Sequence, residues 1–130
     1  MIDHVSIQVT NFAKSLAFYT AALAPLGYSP QSVDEASKSA GFGPKAVGGG
    51  PWFARGSLWL AEGKPAAKTH LCLHSPNRAA VDKFHAEAVK AGGKDNGKPG
   101  VRADYHPNYY AAFVFDPDGN NLEAVTHEAP

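Results

Sequence analysis

Two stretches of this 130-residue chain repeat each other at one fixed spacing, which limits its possible folds more than any other feature. His4 and His70, Asn11 and Asn77, Ala13 and Ala79, Phe18 and Phe84, Ala22 and Ala88, and Gly27 and Gly93 all stand 66 positions apart. Six identities without a gap exceed the roughly two expected by chance in an alanine-rich chain. Val5/Leu71, Ile7/Leu73 and Leu23/Val89 add conservative pairs. The chain therefore reads as two copies of one supersecondary unit, residues 1–62 and 68–127, within a single domain over 1–130. Residues 62–69, which include Pro65, join the copies.

Each copy opens on a strand. Val5, Ile7 and Val9 alternate with His4, Ser6 and Gln8, so the aliphatic residues share one face and the polar ones the other. His70, Cys72 and His74 oppose Leu71 and Leu73 in the same way. A helix follows in both copies, with Asn11 and Asn77 as N-caps. Phe12, Leu16, Tyr19, Leu23 and Leu26 form one apolar stripe, and Val81, Phe84, Ala88 and Ala91 its counterpart. Pro25-Leu26-Gly27 and Gly92-Gly93 end the helices, and Pro25 predicts a distorted last turn. Trp52–Ala61, Tyr109–Phe115 and Asn121–Thr126 read as strands, the last two joined by an Asp116-Pro117-Asp118-Gly119 turn. Residues 34–51 read as a weak strand plus a mobile loop. The fold class is α+β, with helices on one side of each sheet.

Hydrophobic residues make up 44% of the chain and charged residues 18%, which suits a packed core. Twelve basic residues balance twelve acidic ones. That balance argues against nucleic acid or an anionic membrane as partner, since both select clustered positive charge. No apolar run approaches the ~20 residues of a membrane span. Cys72 is the only cysteine. With no visible signal peptide, a reducing, cytoplasmic setting is expected.

His4, His70 and Glu123 each lie on the strand face opposite the aliphatic residues. If the two sheets curve together, these side chains converge in one cavity. Two imidazoles and a carboxylate form a ligand set for a divalent transition metal that leaves positions open for substrate. Each residue alone reads first as an ordinary surface strand residue; their shared phase and repeat relation strengthen the metal reading.

The paired β-α-β-β-β units, the equivalent His4 and His70, and the ending Phe115-Asp116-Pro117-Asp118-Gly119-Asn120-Asn121-Leu122-Glu123 resemble the vicinal oxygen chelate superfamily of glyoxalases, bleomycin-resistance proteins and extradiol dioxygenases. The resemblance covers nearly the whole chain. It implies two tandem units forming a cupped mixed sheet around a cavity, helices outside, and a homodimer completing the cavities. It also implies metal binding by His4, His70 and Glu123. Glyoxalase I has a fourth ligand on the last strand of its first unit. The matching position here is Trp59, which cannot ligate, and Glu62 nearby has the opposite phase. A three-ligand site instead resembles the extradiol dioxygenases, so Fe(II) or Mn(II) is favoured over Zn(II) or Ni(II).

The extradiol pattern also places a histidine before the Asp-Pro turn. His106 matches it and reads either as a general acid/base or as a turn residue before Pro107. Trp59, Trp52, Tyr105, Tyr109, Tyr110, Arg102 and His74 are candidates for a pocket binding an aromatic or anionic small molecule, or for plain packing. Two functions follow, beside a third possibility of a metal-structured scaffold with no turnover. One is a metal-dependent dioxygenase, lyase or isomerase that chelates two adjacent substrate oxygens. The other is a metal-free binding protein of the bleomycin-resistance type.

Overall fold

The computed structural model describes residues 3–44 and 57–130. The order is β1 (Val5–Val9), α1 (Phe12–Leu23), β2 (Tyr28–Asp34), β3 (Ser39–Pro44) and β4 (Leu58–Glu62), then β5 (His70–His74), α2 (Arg78–Lys90), β6 (Lys94–Val101), β7 (Tyr110–Phe115) and β8 (Asn121–Thr126). The repeat is thus structural: each half is β-α-β-β-β. Each half also forms its own open four-stranded sheet, in the order β1-β4-β3-β2 and β5-β8-β7-β6. The first strand runs parallel to the last in both, and the other pairings are antiparallel.

Local chemistry accounts for the elements. Asn11 and Asn77 have extended backbones, and their Oδ1 atoms accept from the N–H of Lys14 (3.0 Å) and Ala80 (2.9 Å). Past Leu23 the helix tightens into one 3₁₀ turn, Ala24–Leu26, as the proline requires, and Gly27 closes it with φ +84°. In the second copy Gly92 takes the left-handed position with φ +100°. Gly93 has another role: a Cβ there would lie 2.5 Å from Val114 Cγ1 and 2.7 Å from Phe18 Cε2. It lets the two halves approach.

The strand expected over 52–61 is β4 from Leu58 onward, and Trp52 lies outside the described residues. The weak strand expected after residue 34 is sharper than its composition suggested. The chain turns at 35–38 and returns as β3, whose Ala40 and Phe42 are fully buried.

One apolar core serves both halves. α1 packs on α2, and each covers the aliphatic face of its own sheet. Phe18, Tyr19, Leu23, Leu60, Val81, Phe84 and Leu122 have at most 1% exposure. Polar bonds cross the same seam. The buried Tyr19 hydroxyl donates to Asp116 Oδ2 (2.6 Å), and Thr10 binds Asp118. Asp116 also accepts from the N–H groups of Asp118 and Asn120, so the Asp-Pro-Asp-Gly turn fastens unit two to unit one. With the helices on the aliphatic faces, His4, Ser6 and Gln8 stand exposed on one open sheet face, and His70, Cys72 and His74 on the other. Among the described residues no helix is long and apolar enough to cross a membrane.

Candidate metal centre

Parallel pairing of β5 with β8 places Cys72 beside Glu123, and antiparallel pairing of β7 with β8 places Phe113 on its other side. The three side chains therefore share the open face. Glu123 is only 3% exposed there, and a buried carboxylate needs partners. It has three. Tyr109 donates its hydroxyl to Oε1 at 2.6 Å, His70 Nε2 stands 3.1 Å from Oε2, and the Cys72 thiol bonds to the carboxylate. Partial burial of its sulfur and the Glu123 charge push the Cys72 thiol up to about 12, so without a metal it is a neutral donor to the carboxylate. The hydrogen bond to Glu123, then burial, holds the Tyr109 phenol above its usual range.

The histidine tautomer bears on the metal question. His70 Nδ1 lies 3.2 Å from the Asn121 carbonyl oxygen, which can only accept, so Nδ1 carries the proton. In the neutral ring Nε2 is then a lone pair facing a carboxylate oxygen. Such a contact is attractive only with a positive charge between or upon the pair: a proton on Nε2 or a shared cation. Two ligands about 2.1 Å from one ion lie roughly 3.0–3.4 Å apart, so the 3.1 Å spacing fits a divalent metal. His4 shows the same orientation. Its Nδ1 pairs with Asp3 Oδ1 at 2.8 Å, which leaves Nε2 outward. A carboxylate or carbonyl on Nδ1 is the usual support of a metal-binding imidazole.

One chain brings together His70 and Glu123 but not His4. Among the described residues no group of three or more His, Cys, Asp or Glu side chains is placed to hold a metal ion. The convergence of all three in one cavity is therefore not found within the described part of a single chain, because the halves pack through their helices and leave both open faces outward.

The model of the Glyoxalase/Bleomycin resistance protein/Dioxygenase superfamily matches residues 1–124. The chain belongs to this superfamily. Among solved structures, a glyoxalase/bleomycin resistance protein from Albidiferax ferrireducens T118 is 25% identical, with TM-score 0.73 and 94% of each chain covered. A putative glyoxalase from Bacillus halodurans is 23% identical, with TM-score 0.65, over 96% of this chain and 94% of that one. An E144Q mutant of glyoxalase I from Zea mays is 20% identical with TM-score 0.66, and the match covers 95% of this chain and 46% of the maize one. No curated protein sequence matches.

Within this glyoxalase-type fold, strand register fixes the counterpart of Glu123 in the first half. Ser6 pairs with Trp59 as Cys72 pairs with Glu123, and Ser6 and Cys72 are repeat equivalents. The half-buried Trp59 thus stands at the carboxylate's position. Glu62 keeps the opposite phase, since β1 and β4 pair without a bulge. It serves as a second cap, accepting from Phe12 N–H (2.9 Å) and Lys38 Nζ (2.8 Å).

The other sequence candidates occupy the rim. His106 is a turn residue whose Nδ1 accepts from Asn108 N–H at 3.0 Å. Its ring meets His127 (5.8 Å), which meets Tyr109 (5.2 Å), so two ring contacts separate it from the Glu123 partner. Tyr105 is 72% exposed and edges onto Tyr109 at 5.1 Å. His74 is exposed on the open face, level with Val125. Tyr110 points to the helix side, donating to Asp82 at 2.7 Å. Sequence reasoning missed His127 and the Asn121 carbonyl. His127 had a signal, because residues 123, 125 and 127 share a strand phase. The carbonyl contact had none.

Proposed function

We propose that the chain is a metal-dependent enzyme acting on a small molecule that binds one divalent ion through two adjacent oxygens. The observation that carries this reading is the His70–Glu123 pair, with Nε2 turned onto a carboxylate oxygen by the Asn121 carbonyl. His4 of a second copy completes the ligand set in a homodimer, an arrangement supported by the outward Nε2 of His4 and the two open sheet faces. Trp59 at the fourth-ligand position favours an extradiol-type site over a glyoxalase I site, and Fe(II) or Mn(II) over Zn(II) or Ni(II). When bound, the ion supplies Lewis acidity that holds the substrate oxygens as anions.

The protein's own residues do the rest. Tyr109 fixes Oε1 and so directs Oε2 outward. His106 is the acid–base candidate: with Nδ1 accepting from Asn108, its neutral ring carries the proton on Nε2. The lone thiol suits a reducing cytoplasm.

Metal analysis after incubation with Fe(II), Mn(II), Zn(II) and Ni(II) tests this reading. Wild type should retain metal, and His4→Ala and Glu123→Ala should each lose it. Mixing those two variants should restore about a quarter of all sites, since random pairing makes about half the dimers mixed and one of the two sites in each mixed dimer regains every ligand. Wild-type retention no greater than that of His70→Ala would defeat the metal reading. Turnover of catechols rather than glutathione hemithioacetals would mark the extradiol chemistry. The half-buried Trp59 and exposed Tyr105 favour a second reading, metal-free binding of a flat aromatic molecule. Under it a chelator leaves ligand affinity unchanged.

A further inference from the structure

Arg102 stands near the candidate centre with most of its hydrogen-bonding capacity unused. It follows β6 directly, and its backbone N–H donates to the Tyr109 carbonyl (2.7 Å) to close the β6–β7 connection. Its guanidinium lies over the Phe113 ring, 5.5 Å from the centroid. Phe113 is the register partner of Glu123, so ring and carboxylate share the open face. One Nη2–H donates to the Lys98 carbonyl at 2.7 Å. A guanidinium has five N–H donors, so most have no partner among the described residues. All twelve acidic side chains of the chain lie among those residues, and none forms an ion pair with Arg102.

The backbone makes room for this group. A Cβ at Gly100 would lie 3.1 Å from Nη1, and one at Gly97 3.5 Å from Nη2 and 2.9 Å from Phe113 Cδ2. Two glycines thus leave a slot between β6 and the Phe113 ring that holds the guanidinium in place. β6 is irregular here, with register shifts on both sides of Gly97.

Resting on the functional reading above, we propose that Arg102, held over Phe113 by the Gly97–Gly100 slot, binds a carboxylate carried by the substrate on the side away from its two chelating oxygens. A planar guanidinium matches a planar carboxylate by two parallel hydrogen bonds. Strands lie ~4.8 Å apart, so β6 stands roughly 10 Å from β8. A chelating group at Glu123 and a carboxylate roughly 5–8 Å further along the same small molecule span that gap. The substrate class is therefore a vicinal dioxygen compound bearing a carboxylate.

Calorimetric titration with catechol and with 3,4-dihydroxybenzoate, each with and without Mn(II), separates the two ideas. The effect of Mn(II) on both probes reads the metal centre, and the ratio between probes reads Arg102. Wild type should prefer the carboxylated probe about tenfold. Arg102→Met should abolish the preference, Arg102→Lys should keep part of it, and Gly100→Ala should reduce it a few-fold with an unchanged melting temperature. Equal affinity of wild type for both probes overturns the inference whatever Mn(II) does. So does undetectable binding of 3,4-dihydroxybenzoate, or a full preference in folded Arg102→Met. If Arg102→Met fails to fold, an undiminished preference in Gly100→Ala overturns it.

Discussion

The row that crosses the open face of the first sheet runs Ser6, Trp59, Gly41; in the second it runs Cys72, Glu123, Phe113, Gly97. The strand order is equivalent, as is the pairing of first strand with last, and the aliphatic face of each sheet packs against a helix, although Leu71 and Leu73 of β5 are less buried than Ile7 and Val9 of β1. The open faces differ in chemistry. A duplicated scaffold keeps its packing side because both helices need it, while the other side is free to take an indole in one copy and a carboxylate in the other. Chemistry is therefore a property of rows rather than of units, and the two rows can be set against each other by substitution.

The largest effect is expected where the rows differ most. Glu123→Gln should reduce metal retention more than about 100-fold, while Trp59→Phe should leave it within about twofold. Equal losses would mean that the carboxylate is not what sets the two rows apart. Next comes the bond that joins the halves. Tyr19→Phe should cost about 1.5–3 kcal/mol in urea unfolding, because the hydroxyl serves a buried carboxylate. Burial, then the Asp116 charge, holds the Tyr19 phenol well above its ordinary value. A raised folded pKa means that the native state keeps a proton the unfolded state gives up. The Tyr19 contribution should therefore be complete below pH ~10 and disappear as pH rises beyond it; Tyr19→Phe should lack that part of the decline.

Tyr109→Phe should weaken metal retention about tenfold by freeing Oε1 of Glu123, with little change in melting temperature. The smallest effects compare the caps. Asn77→Ala should cost about 1 kcal/mol and Asn11→Ala about half that, since Glu62 already accepts from the first turn of α1. Equal costs would show that Glu62 contributes nothing as a cap.

Much of this was legible in the sequence, for identifiable reasons. A constant spacing of 66 carries strands, caps and helix ends together, and alternation in His4–Val9 and His70–His74 assigns faces without any structure. The place of Trp59 at the fourth-ligand position was legible only through the family resemblance, because Trp59 and Glu123 stand 64 positions apart, not 66, and strand register is what matches them. The separation of His4 from His70 and Glu123 was not, because repeats specify each unit and say nothing of how two units pack. β3 was hidden by its composition: Ser39-Ala40-Gly41-Phe42-Gly43 has little β-propensity and is held by its neighbours in the sheet. Gly93 resembled a helix cap, and only the approach of Phe18 reveals its packing role.

The seam between the halves also bears on synthesis. Phe18 of α1 is covered by the segment around Gly93, and Tyr19 finds its acceptor 97 positions later in the chain. A ribosome making the protein from its N-terminus releases the first half with a large aromatic edge uncovered and a tyrosine hydroxyl without its partner. That half has no finished surface of its own until nearly the whole chain has emerged. Docking of the second half is thus the step that encloses the first, through contacts between residues far apart in sequence.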